Sequence, residues 1–509
     1  MSDAHSTPID AARPRRRLRK RWLGMAFLLL WAAVGTWHTI KPMPPGTDMS
    51  TPAVRVPHED VRFLYDLTYG DGRGGTVYEQ QIFDEVMRII DDARSFVLVD
   101  FFLLNDSMGA ADTAPRFLSR ELADRLLARK ASGPDVEILV ITDPINDVYG
   151  GNPSPLLAEL RAAGIQVAVT DLGRLRDPNP AWSALWRLFV QWWSGADDGA
   201  TPVGATRGGW LPNPFAPQGP DISLRSWLAL LNFKANHRKV VVADTADGEL
   251  VGLVTSANPH DASSGHSNVA IRFSGELAAR VLESELAVAR FSGWTGHIHA
   301  AAAPPRPVGT ALELSFLTEK AIRRHLLAAL DATRHGDTAR MALFYLSDRG
   351  IVDALIAAAR RGVEVRLILD PNRDAFGLEK DGVPNRPVAN ELVTASEGRI
   401  AVRWYRTRGE QFHTKMALIV GREQVIATLG SANFTRRNLA NYNLEANIAV
   451  RAASDAPLAR EMLDYFDRLW ENRGEPGVEY TVPFAAWRDT SPLRYWRYRL
   501  MEATGLSTF

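Results

Sequence analysis

Two short stretches of the sequence decide the fold, because each joins a polar triplet to an apolar run. The first stretch reads Asn236-His237-Arg238-Lys239-Val240-Val241-Val242-Ala243-Asp244. The second reads Phe412-His413-Thr414-Lys415-Met416-Ala417-Leu418-Ile419-Val420. Apolar runs of this length predict buried strands, and side chains alternate across a strand, so His and Lys share one face in each stretch. The sequence therefore predicts an imidazole beside an ammonium group in two places.

A second apolar run follows each stretch and ends in Ser-Ala-Asn. These tripeptides are Ser256-Ala257-Asn258 and Ser431-Ala432-Asn433. A neighbouring strand of the same sheet brings its Ser and Asn to the His and Lys. A single His-x-Lys is an ordinary surface pattern, but two copies, each with its own Ser-x-Asn, indicate two half-sites of one active site.

The surrounding chain repeats as well, which predicts two similar halves. Each half shows an amphipathic helix, a strand, a further helix and a second strand. In the first half these lie near 82–90, 96–104, from 121 and 136–142; in the second they lie near 322–330, 341–346, 352–361 and 363–369. Both second strands end in Asp-Pro, at Asp143 and Asp370. This alternation predicts an α/β fold of two halves in a pseudo-twofold arrangement, with His237 and His413 facing one pocket.

Composition shifts divide the chain into segments. We expect a basic tail at 1–21, a membrane segment at 22–40, a Pro-rich linker at 41–58, a first half at 59–299, a linker at 300–308, a second half at 309–480 and an aromatic and basic tail at 481–509. The first half contains an aromatic insert, defined here as residues 178–231. Within it, Trp182, Trp186, Phe189 and Trp193 fall at helical spacing on one face, which fits either a core helix or a helix in contact with lipid.

The N-terminal segment predicts a membrane anchor. Seven basic residues between 13 and 21 precede the uncharged stretch 22–40, which as a helix would reach about 28 Å, near the ~30 Å hydrocarbon thickness. The positive-inside rule then places the rest of the chain outside the cytoplasm, on a single-pass anchor in the inner membrane. A cleaved signal peptide is the alternative. The sequence contains no cysteine, which excludes disulfides and thiolate chemistry.

The duplicated motifs resemble the phospholipase D superfamily, whose signature is His-x-Lys-x4-Asp followed by Gly-Ser-x-Asn, in two copies. The likeness covers about residues 60–480. Its most specific part is Gly430-Ser431-Ala432-Asn433-Phe434-Thr435-Arg436-Arg437-Asn438-Leu439. The string Asn-His-Arg-Lys-Val-Val-Val looks most like bacterial cardiolipin synthases and related phosphatidyltransferases.

The resemblance implies a role for each site residue. His237 would be the nucleophile that forms a phosphohistidine, and His413, oriented by Glu445, would protonate the leaving group and then deprotonate the acceptor. The groups expected to bind the substrate phosphate are Lys239, Lys415, Ser256, Asn258, Ser431 and Asn433. We expect no metal and no other cofactor, because two lysines supply the positive charge that a metal ion would otherwise bring.

Three positions depart from the signature. Val420 replaces the second Asp, but strand parity places both Val420 and Asp244 away from the His and Lys, so no catalytic group is lost. Thr255 replaces the first Gly of Gly-Ser-x-Asn. Asn268 stands where the family usually has an acid that orients the first His, so either this half-site is weaker or another acid such as Asp261 serves.

The composition favours a lipid substrate over nucleic acid. Lys and Arg together number 59, as do Asp and Glu, so the net charge is zero and the strong positive field typical of nucleic-acid binders is absent. We expect a phospholipid substrate, contact with the membrane and activity that one copy of the chain can support. A nuclease with the same core and a non-catalytic membrane scaffold stay open, and the acceptor alcohol is undetermined. The C-terminal aromatic and basic run fits either lipid headgroups or a cap on the second half.

Overall fold

The computed structural model describes residues 13–108, 114–193, 209–214, 219–300, 311–375 and 378–507. Its first part runs from the N-terminal helix to a long helix that closes the first half. The elements are α1 Arg13–Ile40, β1 Val54–Pro57, β2 Arg62–Gly70, β3 Thr76–Glu79, α2 Ile82–Asp92, β4 Phe96–Phe101, α3 Leu118–Ser132, β5 Glu137–Thr142, α4 Pro155–Ala162, β6 Gln166–Val169, α5 Pro180–Leu185, α6 Leu224–Leu230, β7 Lys239–Asp244, β8 Leu250–Thr255, β9 Asn268–Ser274 and α7 Glu276–Phe291.

The second part repeats most of this order. Its elements are β10 Ala311–Thr318, α8 Lys320–Asp331, β11 Thr338–Leu343, α9 Arg349–Arg360, β12 Glu364–Leu369, β13 Asp374–Ala375, β14 Leu378–Glu379, α10 Asn385–Ala395, β15 Ile400–Tyr405, β16 Lys415–Val420, β17 Gln424–Gly430, α11 Arg436–Leu439, β18 Ala446–Ala453, α12 Pro457–Glu471, β19 Thr481–Pro483 and α13 Pro492–Thr504. The predicted helices and strands are present in both halves, although the first strand of each half ends a few residues earlier than its apolar run.

The two main sheets have the same strand order over seven strands. The first sheet runs β3-β2-β9-β8-β7-β4-β5-β6, and the second runs β1-β10-β18-β17-β16-β11-β12-β15-β19. The central pair is parallel in each sheet, β4 with β5 and β11 with β12, and β7 and β16 join that pair antiparallel. The predicted α/β fold of two similar halves is confirmed.

The strand faces explain how the halves join. Val241 and Ala243 pack on the helices of the first half, whereas Val240 and Val242 belong to a core that also contains Leu418 and other residues of the second half. Alternation along one strand thus supplies both an outer core within the half and a central core between the halves. His237 and Lys239 lie four and two residues before Val241, so they share its strand face.

The Pro-rich stretch after the membrane segment is more than a linker. Its last residues form β1, which pairs antiparallel with β10 of the second half. Upstream of β1, the Thr51 amide donates to the Phe316 carbonyl at 3.0 Å and the Met49 amide donates to Thr318 Oγ1 at 2.9 Å. The N-terminal segment therefore crosses to the second half before the first half begins. The expected linker at 300–308 lies outside the described residues from 301 onward.

The N-terminal helix α1 contains a membrane-length apolar segment. Within it, Arg19–Ile40 is long and apolar enough to cross a membrane, and few residues of this segment are buried. At about 1.5 Å per residue, its 22 residues extend about 33 Å.

The aromatic insert departs from the predicted single helical face. Helix α5 continues as a π-turn at Trp186–Val190, which widens the helix by one residue per turn. As a result Trp186 is only 6% exposed whereas Phe189 is 53% exposed, although helical spacing placed both on one face. Part of the insert, 194–208 and 215–218, lies outside the described residues.

The C-terminal helix α13 caps the second half. The Tyr498 ring is fully buried in the core of that half, and its hydroxyl donates to Glu391 Oε2 at 2.6 Å. Other side chains of the same helix, Leu493, Trp496 and Leu500, are exposed.

Candidate active site

The two histidines lie where the halves meet. His237 precedes β7, and its amide donates to the Leu444 carbonyl of the second half at 2.9 Å. In the same way, Phe412 forms a parallel bridge with Ser267 of the first half, directly before His413. Each histidine-bearing segment thus runs beside the residues that precede a strand of the opposite half. Both imidazoles are buried, at 7% exposure each.

The partners of the two histidines are exchanged between the halves. His237 Nδ1 lies 3.0 Å from Glu445 Oε2, and His413 Nδ1 lies 3.1 Å from Asn268 Oδ1. The expectation that Glu445 orients His413 is therefore wrong. The physical reason is the bridging just described, because residues 268 and 445 follow the segments that pair with the opposite half. The carboxylate serves the first histidine and the amide serves the second.

The serines of Ser-Ala-Asn do not face a substrate phosphate. Ser431 Oγ donates to Glu445 Oε2 at 2.5 Å, and Ser256 Oγ donates to Asn268 Oδ1 at 2.9 Å. The same hydroxyls accept the amides of Ala446 and Val269. Both serines are fully buried, so they hold the histidine partners in place, and the expectation that they bind phosphate is wrong.

The two lysines lie in matching environments. Lys239 Nζ donates to the His237 carbonyl, and Lys415 Nζ donates to the His413 carbonyl, each at 2.7 Å. Phe102 lies beneath the first ammonium, with Nζ 5.2 Å from the ring centroid, and Phe344 lies 5.0 Å from the second. The same two rings lie 4.9 Å from their histidine rings. Sequence reasoning missed both phenylalanines, although each directly follows a central strand.

Burial lowers the pKa values of both histidines and both lysines of the site. Desolvation, reinforced by the nearby Lys239 and Lys415 charges and opposed by Glu445, lowers the pKa of His237 to about 4. Burial and the Lys415 charge hold the pKa of His413 well below its usual value. The pKa of Lys239 falls to about 7 through burial, and that of Lys415 falls well below its usual value through burial and the Lys239 charge. The lysine charge of each half affects pKa values in the other half. His237, Lys239, His413 and Lys415 therefore form one electropositive site.

The asparagines of Ser-Ala-Asn lie beside these groups. Asn258 Oδ1 accepts the Leu103 amide at 3.3 Å, which fixes the amide plane. Asn433 is buried, and its Oδ1 makes no hydrogen bond with the described residues. The Nδ2 groups of Asn258 and Asn433 are hydrogen-bond donors, so these are the Ser-Ala-Asn side chains that could bind an anion.

Asp143 and Asp370 are functional candidates that sequence reasoning did not assign to the site. Asp143 accepts the Asn236 amide and Asp370 accepts the Phe412 amide, each at 2.7 Å, so each fixes the residue before a histidine. Burial raises the pKa of Asp143 to about 8 and that of Asp370 to about 7. The repeated Asp-Pro was the available signal.

A buried arginine links the site to both halves. The guanidinium of Arg238, which is fully buried, pairs with Glu285 at 3.1 Å and with Glu319 at 2.9 Å. Glu319 Oε1 also accepts the Glu445 amide at 3.0 Å. Arg238 therefore connects the first half-site, through Glu319, to Glu445, whose carboxylate pairs with His237.

Asp244 and Asp261 lie outside the site. Asp244 accepts the amides of Ser95 and Phe96 at the start of β4, on the face that strand parity indicates. Asp261 accepts the amide and hydroxyl of Ser119 in the first turn of α3. The alternative that Asp261 orients His237 is wrong, because its carboxylate caps that helix.

The second half-site lies within the part of the chain that matches a family model. The family model described as "Cardiolipin synthase, PLD-like domain" matches residues 326–470. Cardiolipin synthase B of Escherichia coli (strain K12) is 32% identical over 232 residues, which cover 43% of this chain and 52% of that protein. The chain thus spans about half the length of this relative. Cardiolipin synthase A of Pseudomonas syringae pv. syringae (strain B728a) is 24% identical over 408 residues, 75% of this chain and 68% of that protein.

A solved structure shares the fold across both halves. The crystal structure of phosphatidylserine synthase of Haemophilus influenzae Rd KW20 matches with a TM-score of 0.52 and 10% sequence identity, covering 89% of this chain and 97% of that one. At this identity the match shows the two-half fold alone.

Proposed function

We propose that this chain, which is a member of the phospholipase D superfamily similar to bacterial cardiolipin synthases, is a membrane-anchored phosphatidyltransferase that acts on phospholipids through a phosphohistidine. The observation that carries the proposal is the exchanged pairing, Glu445 on His237 and Asn268 on His413, within one buried site. Neither half by itself holds both histidines with their partners.

His237 is the proposed nucleophile. Its Nδ1 is engaged by Glu445, which leaves Nε2 as the ring nitrogen that attacks phosphorus while the bond to the leaving alkoxide breaks. Burial opposes ionisation of Glu445, but its pairing with His237, the Lys239 charge and the Ser431 hydrogen bond lower its pKa below the usual value, so it is a carboxylate. A carboxylate stabilises the positive charge that the phosphorylated imidazole acquires, which favours this histidine for the covalent role.

His413 is the proposed acid and base. Asn268 accepts its Nδ1 hydrogen and fixes the ring without adding negative charge. An imidazolium paired with an amide is a stronger acid than one paired with a carboxylate, which suits proton donation to an alkoxide. In the second displacement neutral His413 takes the acceptor's hydroxyl proton as that oxygen attacks phosphorus and the P–N bond breaks.

The lysines and asparagines complete the proposed site. Lys239, Lys415, Asn258 and Asn433 would hold the nonbridging phosphate oxygens, and the anion in turn would raise the depressed pKa values of both lysines and keep them charged. In this scheme the fixed cations do the work of a metal ion, so no metal and no other cofactor is proposed.

The membrane placement is also a proposal. Residues 22–40 of α1 would cross the inner membrane, with the basic residues between 13 and 21 in the cytoplasm and the catalytic halves, 59–299 and 309–480, on the far side. One copy of the chain would suffice, since one copy supplies both half-sites. No nucleic-acid partner is proposed.

Lipid analysis of a reconstituted reaction tests the function. Full-length protein in vesicles of phosphatidylglycerol should release glycerol and form cardiolipin, and His237→Ala should form none. Formation of phosphatidic acid instead would assign water as the acceptor and a phospholipase activity. Cleavage of DNA without any lipid turnover, or lipid turnover by the wild type no faster than by His237→Ala, would refute the proposal.

A further inference from the structure

Exposed large apolar side chains are concentrated in three segments of the described chain. Outside these segments only Tyr78, Phe117 and Leu506 are exposed to a comparable extent among the described large apolar side chains. The first segment is α1, the second is the aromatic insert and the third is α13. The insert contributes Phe189, Trp192, Trp193, Trp210, Leu224, Trp227 and Leu231. A contiguous exposed apolar patch marks an interaction surface.

The insert packs lengthwise on the membrane-length helix. Trp31 Nε1 donates to the Ala181 carbonyl at 3.1 Å, and Gly35 allows close approach, since a Cβ there would overlap the Pro180 carbonyl oxygen. Further down α1, the rings of Phe27 and Phe189 lie 6.1 Å apart. From Gly35 to Phe27 is about 12 Å of helix. The insert thus runs down the apolar segment of α1 toward the cytoplasmic end.

The charge of residues 180–193 is turned away from their exposed face. Between 180 and 193 the sequence contains one charged residue, Arg187, and its guanidinium pairs with the buried Asp177 at 3.0 Å. An unpaired charge in hydrocarbon is costly, and charged residues at membrane depth turn inward to partners. The exposed side of the segment is left to Phe189, Trp192 and Trp193.

Buried apolar packing connects the insert to the active site. Trp186 and Val190, which lie on the inner side of the segment, belong to one buried cluster with Ala229 and Phe102. Phe102 is the ring 4.9 Å from His237. The surface next to α1 and the nucleophile are therefore joined by continuous apolar packing.

The C-terminal helix extends the same surface. Leu493, Trp496 and Leu500 are exposed and follow helical spacing, so they form one stripe of α13. The far end of α13 reaches the insert, because a Cβ at Gly505 would overlap the Pro178 carbonyl oxygen.

We propose that residues 180–193 are embedded in the bilayer beside α1 and guide the acyl chains of a phospholipid toward His237. The occupant of this surface is lipid, because the segment contacts, from Pro180 to Phe189, the helix that is long and apolar enough to span a membrane. The inference rests on the proposed membrane placement of α1 and deepens the proposed function by assigning a route to the substrate.

Site-directed labelling tests the location without reference to activity. The chain has no cysteine, so Phe189→Cys and Trp192→Cys each create a single attachment point for a nitroxide. In phosphatidylglycerol–phosphatidylethanolamine vesicles both labels should collide with oxygen and be shielded from a water-soluble nickel chelate. Phe117→Cys, on a side chain 62% exposed in the body, is the matched control and should show the reverse. Nickel accessibility at 189 and 192 equal to that at 117 would overturn the inference and point to open solvent. Shielding of both labels from nickel and oxygen alike would overturn it and point to a protein partner.

Turnover tests the guiding role. The Phe189→Ser/Trp192→Ser variant should lose at least about tenfold in activity on vesicle lipid yet keep its activity on a short-chain phosphatidylglycerol dissolved below its micelle concentration. Phe117→Ser should be unchanged on both substrates. Equal loss on both substrates, or no loss on either, would overturn the guiding role. If the wild type turns over neither substrate, the proposed function fails, and the labels alone decide where the insert lies.

Discussion

Asn268 accepts a hydrogen bond from His413 without adding negative charge, so it does not raise the pKa of that histidine. Replacing Asn268 with Asp should raise that pKa. Asn268 Oδ1 accepts from His413 Nδ1 at 3.1 Å, and Asn268→Asp replaces it with a carboxylate oxygen at the same distance. Burial and Lys415 hold the pKa of His413 well below its usual value. A carboxylate favours the imidazolium, so the substitution raises that pKa.

The magnitude follows from the contacts of position 268. An opposite charge at this range moves a pKa by about 1–3 units. Asn268 Nδ2 also donates to the His266 carbonyl at 3.0 Å, and Asp would place an oxygen against that carbonyl. This repulsion favours a protonated Asp and reduces the gain, so we expect a rise of about one unit, or about 1.4 kcal/mol.

The sign of the effect on rate follows from the acid role. A higher pKa keeps His413 protonated to a higher pH, so the alkaline limb of kcat/KM should move up by about one unit. Above both pKa values Asn268→Asp should then be about tenfold faster than the wild type on natural phospholipid. A substrate with a 4-nitrophenol leaving group needs no proton and should show no gain.

The assay is a pH–rate profile of both substrates for Asn268→Asp and for a control. Asn390→Asp makes the same change of charge on α10, away from the histidines, and should leave the profile unchanged. An alkaline limb that does not move in Asn268→Asp would refute the reasoning. A shift of the acid limb instead would assign the nucleophile role to His413.

Three further predictions follow from the site and the fold. Arg238→Ala should lower the free energy of unfolding by about 3–5 kcal/mol, because Glu285 and Glu319 are left buried without their cation. Denaturant unfolding monitored by tryptophan fluorescence measures this loss, and a loss under about 1 kcal/mol would contradict the prediction. His413→Ala should slow turnover of natural lipid by about 10²–10⁴-fold and recover in part with the 4-nitrophenol leaving group, whereas equal loss on both substrates would argue against an acid role. A reporter fused after Phe509 should be active only outside the cytoplasm, and activity confined to the cytoplasm would reverse the topology.

The sequence was sufficient to predict the two halves, because their evidence is local. His237 and Lys239 sit on an apolar run whose alternation alone defines a strand face, and the same pattern recurs at His413. Matching runs on either side predict neighbouring strands. The strand order that the two sheets share over seven strands confirms what that repetition indicated.

The exchanged partners depend on how the halves dock, which no local pattern contains. Glu445 follows the second Ser-x-Asn in sequence, which favours its assignment to the second histidine. Only the bridge between Asn236 and Leu444 reveals that it serves His237. The crossing of β1 into the second sheet was missed for the same reason. The π-turn at Trp186–Val190 was not predicted, because helical spacing assumes an uninterrupted 3.6-residue period.

The chemical identity of the covalent intermediate is the most direct test of the proposed mechanism. Full-length protein is mixed with phospholipid labelled with ³²P in the phosphodiester, quenched within one turnover and digested for mapping by mass spectrometry. We predict label on His237, absent from His237→Ala and still formed, more slowly, in His413→Ala. Label on His413, or turnover with no labelled histidine at any time, would contradict the proposed mechanism.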